Sequence, residues 1–515
     1  MSAFAVYDLT LEREGVERPV LDHFSLSLDA GQTVVLLGEA GCGKKELLET
    51  LAGAPVGVVE GTLRAGDAEP VRAAKQTRPL IPTAYLPSAA DAPLAPPVRA
   101  LSQLVRVVAR KLGISRAEAR EKFANTYARL EGAPPLGALE HPAASLSRDT
   151  LAWGLFAAAF AQDPQLLLAD HALSGLAPTQ ARLLVRALLT QQKRQGFALL
   201  YAAMNTEEAA WLGGRVLVLR HGKVVEDAPI ATLAASPTHP YTQTFFKALK
   251  AEPPAGPRAS GRGQPVIQAF NLAIGPDQSR EADSRGGLSF ELRRGASLAL
   301  VGEEGSGRRA LMRVLLGLDR PRQGRVVLDA VDAGILAEKM LLKLRRRVAM
   351  IAGADDLLDP RMTLWDTVAE PLRAHLSLPR DLIANYRDAA LKRVGLAALP
   401  GERAVAELSP FDKRRLQVAR AIVAAPLLAV IDEPLRGLDA FAQSVMRDLL
   451  RNFRAQEGPA FLVITSDFAV AQALSEDAMV LKDGRVIERG AIADLIRAPK
   501  EPETKALIDA SIVRA

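Results

Sequence analysis

Apolar residues in this chain come in short blocks, separated by glycine-rich turns and by longer stretches of helical periodicity. Thr33-Val34-Val35-Leu36-Leu37 ends on a glycine-rich turn, and Glu46-Leu47-Leu48-Glu49-Thr50-Leu51 follows with the spacing of an amphipathic helix. A block of that length bounded by glycine reads as a buried strand. Leu298-Ala299-Leu300-Val301 starts the same arrangement later in the chain. Two further blocks end in an acid, Leu166-Leu167-Leu168-Ala169-Asp170 and Leu428-Ala429-Val430-Ile431-Asp432. Strands are also expected at Ala198–Tyr201 and Phe461–Ile464, and β-rich entries at Ala3–Ser27 and Val266–Leu292. Residues 98–130 and 364–394 are rich in helix formers. Hairpin turns are expected at His221-Gly222 and, with the stronger signal, at Asp483-Gly484. Strands alternating with helices predict an α/β fold with a mostly parallel sheet.

The blocks occur twice at nearly constant spacing. Gly38 recurs as Gly302, an offset of 264; Leu146-Ser147 recurs as Leu408-Ser409, and Asp170 as Asp432, both at 262. Ser236-Pro237-Thr238-His239-Pro240-Tyr241-Thr242 has its counterpart at Ala498–Thr504, again at 262. The chain is therefore a tandem duplication. Pro, Gly and Ser crowd the seam, so the expected division is a first domain at 1–251, a linker at 252–265 and a second domain at 266–515.

Composition narrows the class without changing this picture. At 515 residues the chain is too long for one core, and 49% hydrophobic with 24% charged residues is globular. The net charge of +6 is spread without long runs, which argues for a solvated surface and against a nucleic-acid footprint. A single cysteine, Cys42, allows no intrachain disulfide and reads as a small residue filling a tight turn. No signal peptide is evident at the N-terminus. The longest apolar run, Leu151–Ala161, is far short of the roughly 20 residues of a spanning helix, so any membrane role is expected to be peripheral.

The candidate chemistry lies in the glycine turns. In Gly38-Glu39-Ala40-Gly41-Cys42-Gly43-Lys44-Lys45 the glycines let successive N–H groups converge, and the following helix adds its positive end. Lys44 stands where an ammonium reaches the outer phosphates of a nucleotide. The next position calls for a hydroxyl to ligate magnesium, and Lys45 occupies it. The second turn, Gly302-Glu303-Glu304-Gly305-Ser306-Gly307-Arg308-Arg309, replaces both residues with arginine.

Glycine loop, Leu-Ser signature, acid-ended strand and downstream switch strand, repeated in order, resemble a tandem pair of ATP-binding-cassette ATPase domains over nearly the whole chain. Pro237–Thr242, Asp359–Thr363 and Ala369–Arg373 look like the subfamily that drives oligopeptide, dipeptide and nickel import. The resemblance implies two P-loop ATPase domains, each with a mostly parallel core sheet, a β-rich entry subdomain and a helical subdomain. It implies ATP and Mg2+ as cofactors, with Asp170 and Asp432 as metal ligands, Glu433 as the catalytic carboxylate and His171 in the equivalent first-half position. Ser147 and Ser409 are the implied signature serines, each contacting nucleotide on the other domain through head-to-tail pairing. The implied partners are integral-membrane permease subunits and, indirectly, a substrate-binding protein. The implied location is cytoplasmic, at the inner face of the cell membrane.

Several positions depart from that pattern. Met204 and Ser466 stand where a switch histidine is expected, Ser88 and Ala352 where a lid glutamine is expected, and Arg13 and Pro276 near an expected stacking aromatic. The signatures read Leu146-Ser147-Arg148-Asp149-Thr150 and Leu408-Ser409-Pro410-Phe411-Asp412 in place of Leu-Ser-Gly-Gly-Gln. No composite site keeps both the loop lysine and the catalytic glutamate. His171 reads either as a weaker base or as a structural histidine. Lys45 and Arg309 read either as cations that stand in for magnesium or as drift in loops that hold nothing tightly. Two functions remain open: a working ATPase subunit of a peptide importer, and a pseudo-ATPase with an assembly or regulatory role. The ribosome-acting class is disfavoured because the linker is short and lacks a long charged helix.

Overall fold

The structure is a computed structural model, and it describes residues 2–13, 18–55, 57–75, 78–249, 264–272, 288–315, 318–321, 323–332, 346–353, 357–376 and 378–511. It divides into two compact units, Met1–Lys250 with Asp439–Phe441, and Ala251–Leu438 with Ala442–Ala515. Of the linker expected at 252–265, residues 252–263 lie outside the described ones, and Pro265 already begins a strand. Pro276, named above near a stacking position, also lies outside them.

In the first unit the apolar blocks form a six-stranded sheet ordered Lys223–Pro229, Arg215–Arg220, Thr33–Leu37, Ala198–Ala202, Leu166–Asp170, Thr83–Pro87. Every neighbouring pair is parallel except the hairpin of Arg215–Arg220 with Lys223–Pro229. His221 and Gly222 turn that hairpin with positive φ, at 48° and 78°. The entry strands Ser2–Glu12, Leu21–Asp29 and Val58–Ala65, with Val71–Arg72, make a separate antiparallel sheet.

The second unit repeats this plan. Its six-stranded sheet runs Val348–Ala352, Leu428–Asp432, Ala460–Thr465, Ser297–Val301, Asp477–Lys482, Arg485–Ala491, parallel except for the last pair. Asp483 and Gly484 turn its hairpin, as their sequence signal implies.

Why the central strands read as continuous apolar runs is evident from burial. Side chains on a strand alternate between faces. Val35 and Leu37 pack with Phe123, Trp153 and Phe156 of the helical layer, whereas Val34 and Leu36 pack with Leu47, Leu48 and the entry sheet. A parallel sheet covered on both faces favours apolar residues at nearly every position. The glycine loops follow directly on the ends of Thr33–Leu37 and Ser297–Val301.

Helices Ala100–Leu112 and Arg116–Tyr127 fill the expected helical stretch of the first unit, and Leu364–His375 and Arg380–Arg393 that of the second. Helices Arg148–Phe160 and Pro410–Ala424 follow the Leu-Ser pairs. None of the described helices is long and apolar enough to cross a membrane.

Candidate functional site

The first glycine loop has the backbone its sequence calls for. Gly41 and Gly43 lie in the left-handed region, at φ 80° and 102°, and a Cβ on Gly43 would meet the Val20 carbonyl at 2.6 Å. Helix Lys44–Leu51 starts with no side-chain cap, so its first N–H groups stay open to an anion. Lys44 is buried, and its Nζ donates to the carbonyls of Gly38 at 2.6 Å and Glu39 at 3.0 Å. The same Nζ lies 3.5 Å from Cys42 Sγ. Burial pushes the Cys42 thiol up against the lowering effect of Lys44, so it stays protonated and serves as packing, in keeping with the turn-filling reading.

One contact to this loop has no forewarning in the chemistry read from sequence. The Glu39 N–H donates to the Tyr241 hydroxyl at 3.2 Å, and the Arg220 guanidinium sits over the Tyr241 ring at 4.9 Å. His239 accepts the Tyr241 N–H on Nδ1 at 3.1 Å, a bond within its own turn. Glu226 holds this tail by accepting from the N–H and hydroxyl of Thr238 and the N–H of His239. The Pro237–Thr242 motif was the available signal, legible as a family tail but not as a brace for the loop.

Asp170 ends its strand beside this loop and is buried. Its Oδ2 accepts from the Tyr85 hydroxyl at 2.8 Å, while Oδ1 accepts no hydrogen bond. His171 Nδ1 lies 3.2 Å from that Oδ1 without hydrogen-bond alignment. Burial lowers the His171 pKa below the usual imidazole range, so the ring is neutral at pH 7. Lys45 is exposed. The Met204 N–H donates to buried Glu208 at 3.1 Å. Burial pushes that carboxyl up to about 7. Tyr201 joins the same cluster, donating to Glu208 at 3.3 Å and accepting the Leu173 N–H at 3.2 Å.

The second loop is built alike but connected differently. Gly305 and Gly307 are left-handed at φ 86° and 94°, and Gly302 needs to lack a Cβ, which would strike the Leu481 carbonyl at 2.4 Å. Arg308 does not return to its loop carbonyls as Lys44 does. Its Nε donates to Ser306 Oγ at 3.2 Å and its Nη1 to Glu433 Oε1 at 3.0 Å. The two side chains are only 10% and 12% exposed. Glu433 Oε1 also accepts from the N–H and hydroxyl of Ser466, at 2.8 and 2.9 Å, and Oε2 from Thr465 Oγ1 at 3.0 Å. Burial would raise its carboxyl, but Arg308, Arg436 and Ser466 outweigh burial and hold it below the usual range. Asp432 moves the other way, raised by burial and by the Glu433 charge. A cleft of about 340 Å³ is lined by Glu303, Glu304, Arg308, Arg309, Glu433 and Arg436 among others.

Backbone equivalences sharpen the comparison. His171 and Glu433 share a left-handed conformation, φ 47° and 46°, rare for residues with a side chain. Strand register places Pro87 opposite Asp170 and Ala352 opposite Asp432. The counterpart of Ser88 is therefore Gly353, one residue beyond Ala352, which corrects the lid position expected from sequence. A Cβ on Gly353 would meet the Glu433 carbonyl at 2.1 Å, so that position holds glycine for lack of room.

Ser147 and Ser409 both cap helices. Ser147 accepts the Thr150 N–H, and Ser409 accepts the Asp412 N–H, each at 3.1 Å. Neither hydroxyl bonds to the glycine loop of its own unit.

Fit to a nucleotide differs between the loops. The first offers an open helix start and a buried ammonium bonded only to loop carbonyls and a thiol, which fits phosphate. Asp170 Oδ1, buried with no hydrogen bond, fits a cation, whereas Lys45 does not supply the hydroxyl that magnesium takes in such loops. The second loop has its cation already paired with an anion.

Comparison with known proteins agrees with this architecture. The ABC transporter family profile matches residues 21–174 and 286–436, more than half of the chain. The ABC transporter ATP-binding protein YejF of Escherichia coli is 29% identical over 95% of this chain and 96% of its own length. The peptidoglycan transport ATP-binding protein YejF of Agrobacterium fabrum is 28% identical over 98% and 96%. The glutathione import ATP-binding protein GsiA of Shigella flexneri is 27% identical over 95% and 86%. Among solved structures, cbiO1 of Clostridium perfringens superposes with a TM-score of 0.41 at 25% identity, covering 45% of this chain and 91% of that one. Proteins of this family bind ATP, usually with Mg2+. With the family profile matched once in each half, this chain belongs to the ABC transporter family as a tandem pair of its ATPase domains.

Proposed function

We propose that the chain is the ATP-binding subunit of a transporter that takes up a peptide-class solute. It works at the inner face of the cell membrane with integral-membrane permease subunits and, through them, a substrate-binding protein. Relatives named for peptidoglycan transport and glutathione import support the solute class. Nucleotide is held at the Lys44 loop, with Asp170 as the ligand for any metal, and the two halves pair head to tail so that Ser147 and Ser409 face the opposite loops. Magnesium, where bound, screens charge on the phosphates; the chain's own part is to position them by loop N–H groups and Lys44.

Hydrolysis is weak or absent in this reading, and one observation carries that: the carboxylate placed to activate water, Glu433, is ion-paired to Arg308. A carboxylate held below its usual range by a guanidinium is a poor proton acceptor. In the first unit the equivalent His171 is neutral but pushed below the usual imidazole range by burial, which weakens it as a base. The same ion pair favours the second reading, a catalytically inactive subunit that keeps the fold and docking role. ATP turnover of the purified chain beside Glu433→Gln and Lys44→Ala tests both. The expected result is slow turnover, changed little by Glu433→Gln; brisk turnover abolished by that substitution would overturn the impaired-hydrolysis reading.

A further inference from the structure

We propose that the second glycine loop is an anion site whose resident anion is the chain's own Glu433, and that it accepts a diphosphate-bearing ligand in exchange for that carboxylate, without a metal ion. The inference rests on reading Gly302–Arg309 as a phosphate-type loop. Two independent observations meet there. The loop's left-handed glycines lead into the helix Arg308–Leu315, whose first N–H groups form a positive end. The buried Arg308 guanidinium already holds an oxyanion, Glu433, at 3.0 Å. Carboxylate and phosphate oxygens are interchangeable partners for a guanidinium.

Charge within the cleft explains why the resident matters. Glu303, Glu304, Asp432 and Glu433 face Arg308, Arg309 and Arg436, so the lining carries one more negative than positive charge. An incoming anion is opposed while Glu433 keeps its hold on Arg308. Releasing Arg308 costs Glu433 only one of its partners, because Thr465 Oγ1 and the N–H and hydroxyl of Ser466 still donate to it. The released carboxylate stays hydrogen-bonded and keeps the Arg436 charge in the same cleft. In the first unit the loop cation has no such occupant: His171 stands at that position, and among the described residues Lys44 bonds only to groups of its own loop, while the Asp439 carboxylate accepts the Ala40 N–H at 3.0 Å. The two loop cations thus differ in kind: one is bonded to neutral loop groups, the other is paired with an internal carboxylate. Arg309 fills the hydroxyl position with a second cation, so the released site offers charge neutralisation without magnesium.

The test is calorimetric titration of ADP, in the presence of a chelator, into the full chain carrying Lys44→Ala so that the second loop alone is read. ADP has no γ-phosphate to lose, so a gain cannot come from blocked hydrolysis. Adding Glu433→Gln should tighten ADP about tenfold, the scale of one charge-assisted contact. Asp432→Asn removes the same charge from the cleft without freeing Arg308, and should give clearly less. Arg308→Met should abolish the gain. Thermal unfolding of each variant checks the fold, and Glu433→Ala replaces the glutamine variant if that one misfolds. No gain, an equal gain from Asp432→Asn, or a gain that survives Arg308→Met would each overturn the proposal. The chain with Lys44 intact is titrated in parallel: absence of binding there would sink the functional reading above and leave the result at Arg308 standing by itself.

Discussion

The Tyr241 hydroxyl accepts the Glu39 N–H at 3.2 Å, fastening the tail of the first unit to its glycine loop across 202 positions of sequence. A hydrogen bond of this kind contributes about 1 kcal/mol net, and its loss leaves a loop N–H without its partner. The Arg220 guanidinium over the ring holds the phenol in place. Tyr241→Phe keeps the ring and removes the hydroxyl. Nucleotide binding at the Lys44 loop should weaken about fivefold with little change in the unfolding temperature. Unchanged affinity would show that the brace does not shape the loop.

Buried Glu208 should make the first unit pH-sensitive. Burial raises its carboxyl from 4.5 to about 7, opposed by hydrogen bonds from the Met204 N–H and the Tyr201 hydroxyl. A carboxyl with a raised folded-state pKa favours folding most when protonated. Stability is therefore full below about pH 4.5 and declines as pH rises towards 7, by up to about 3 kcal/mol. Glu208→Gln keeps an acceptor for the Met204 N–H and removes the titration. The difference in unfolding temperature between variant and wild type should grow from pH 5 to pH 8, the variant being the more stable at the upper end. A constant difference would place the titration elsewhere.

Tyr85 supplies the one hydrogen bond that the buried Asp170 carboxylate accepts among the described residues, since Oδ1 has none. Tyr85→Phe should destabilise the first unit by about 1–3 kcal/mol, the cost of leaving a buried acceptor unmet. The penalty should shrink when Asp170→Asn is already present, because both changes act on one contact. Additive losses in calorimetric unfolding would separate Tyr85 from Asp170.

These sites show what the residue pattern could and could not convey. Apolar blocks ending in glycine or in Asp170 and Asp432 gave the strand positions, because a strand covered on both faces tolerates little else. Duplication gave the two-unit plan and the identity of the substituted positions, Lys45, Arg308, Arg309 and His171. The offset drifts, however, from 262 at Asp170 to 264 at Gly38, and by Thr83 and Val348 strand register has moved it to 265. That drift is why the counterpart of Ser88 is Gly353 and not Ala352. Pairings across the fold left no local trace. Arg308 reaches Glu433 across 125 positions, and nothing near either residue announces the other. A lysine at Arg308 would read as a phosphate ligand and an arginine as its conservative substitute, yet the longer planar guanidinium is what spans to the carboxylate.

Lys45 gives the last prediction, on metal dependence at the first loop. Its ammonium is exposed at the position where a hydroxyl would ligate magnesium, and Asp170 Oδ1 is the buried oxygen with no hydrogen bond. A cation at the loop already supplies positive charge to the phosphates and repels a second cation nearby. Wild-type affinity for ADP should therefore change by less than about twofold between magnesium and a chelator. Lys45→Thr removes the repulsion and adds the missing ligand, leaving Asp170 Oδ1 to complete it. That variant should bind about tenfold tighter with magnesium than with chelator, and weaker than wild type when metal is absent. Both effects are read in one titration series against Lys44→Ala. Strict magnesium dependence of the wild-type chain would mean that Lys45 turns away from the phosphates and that water completes the metal's shell in place of a hydroxyl.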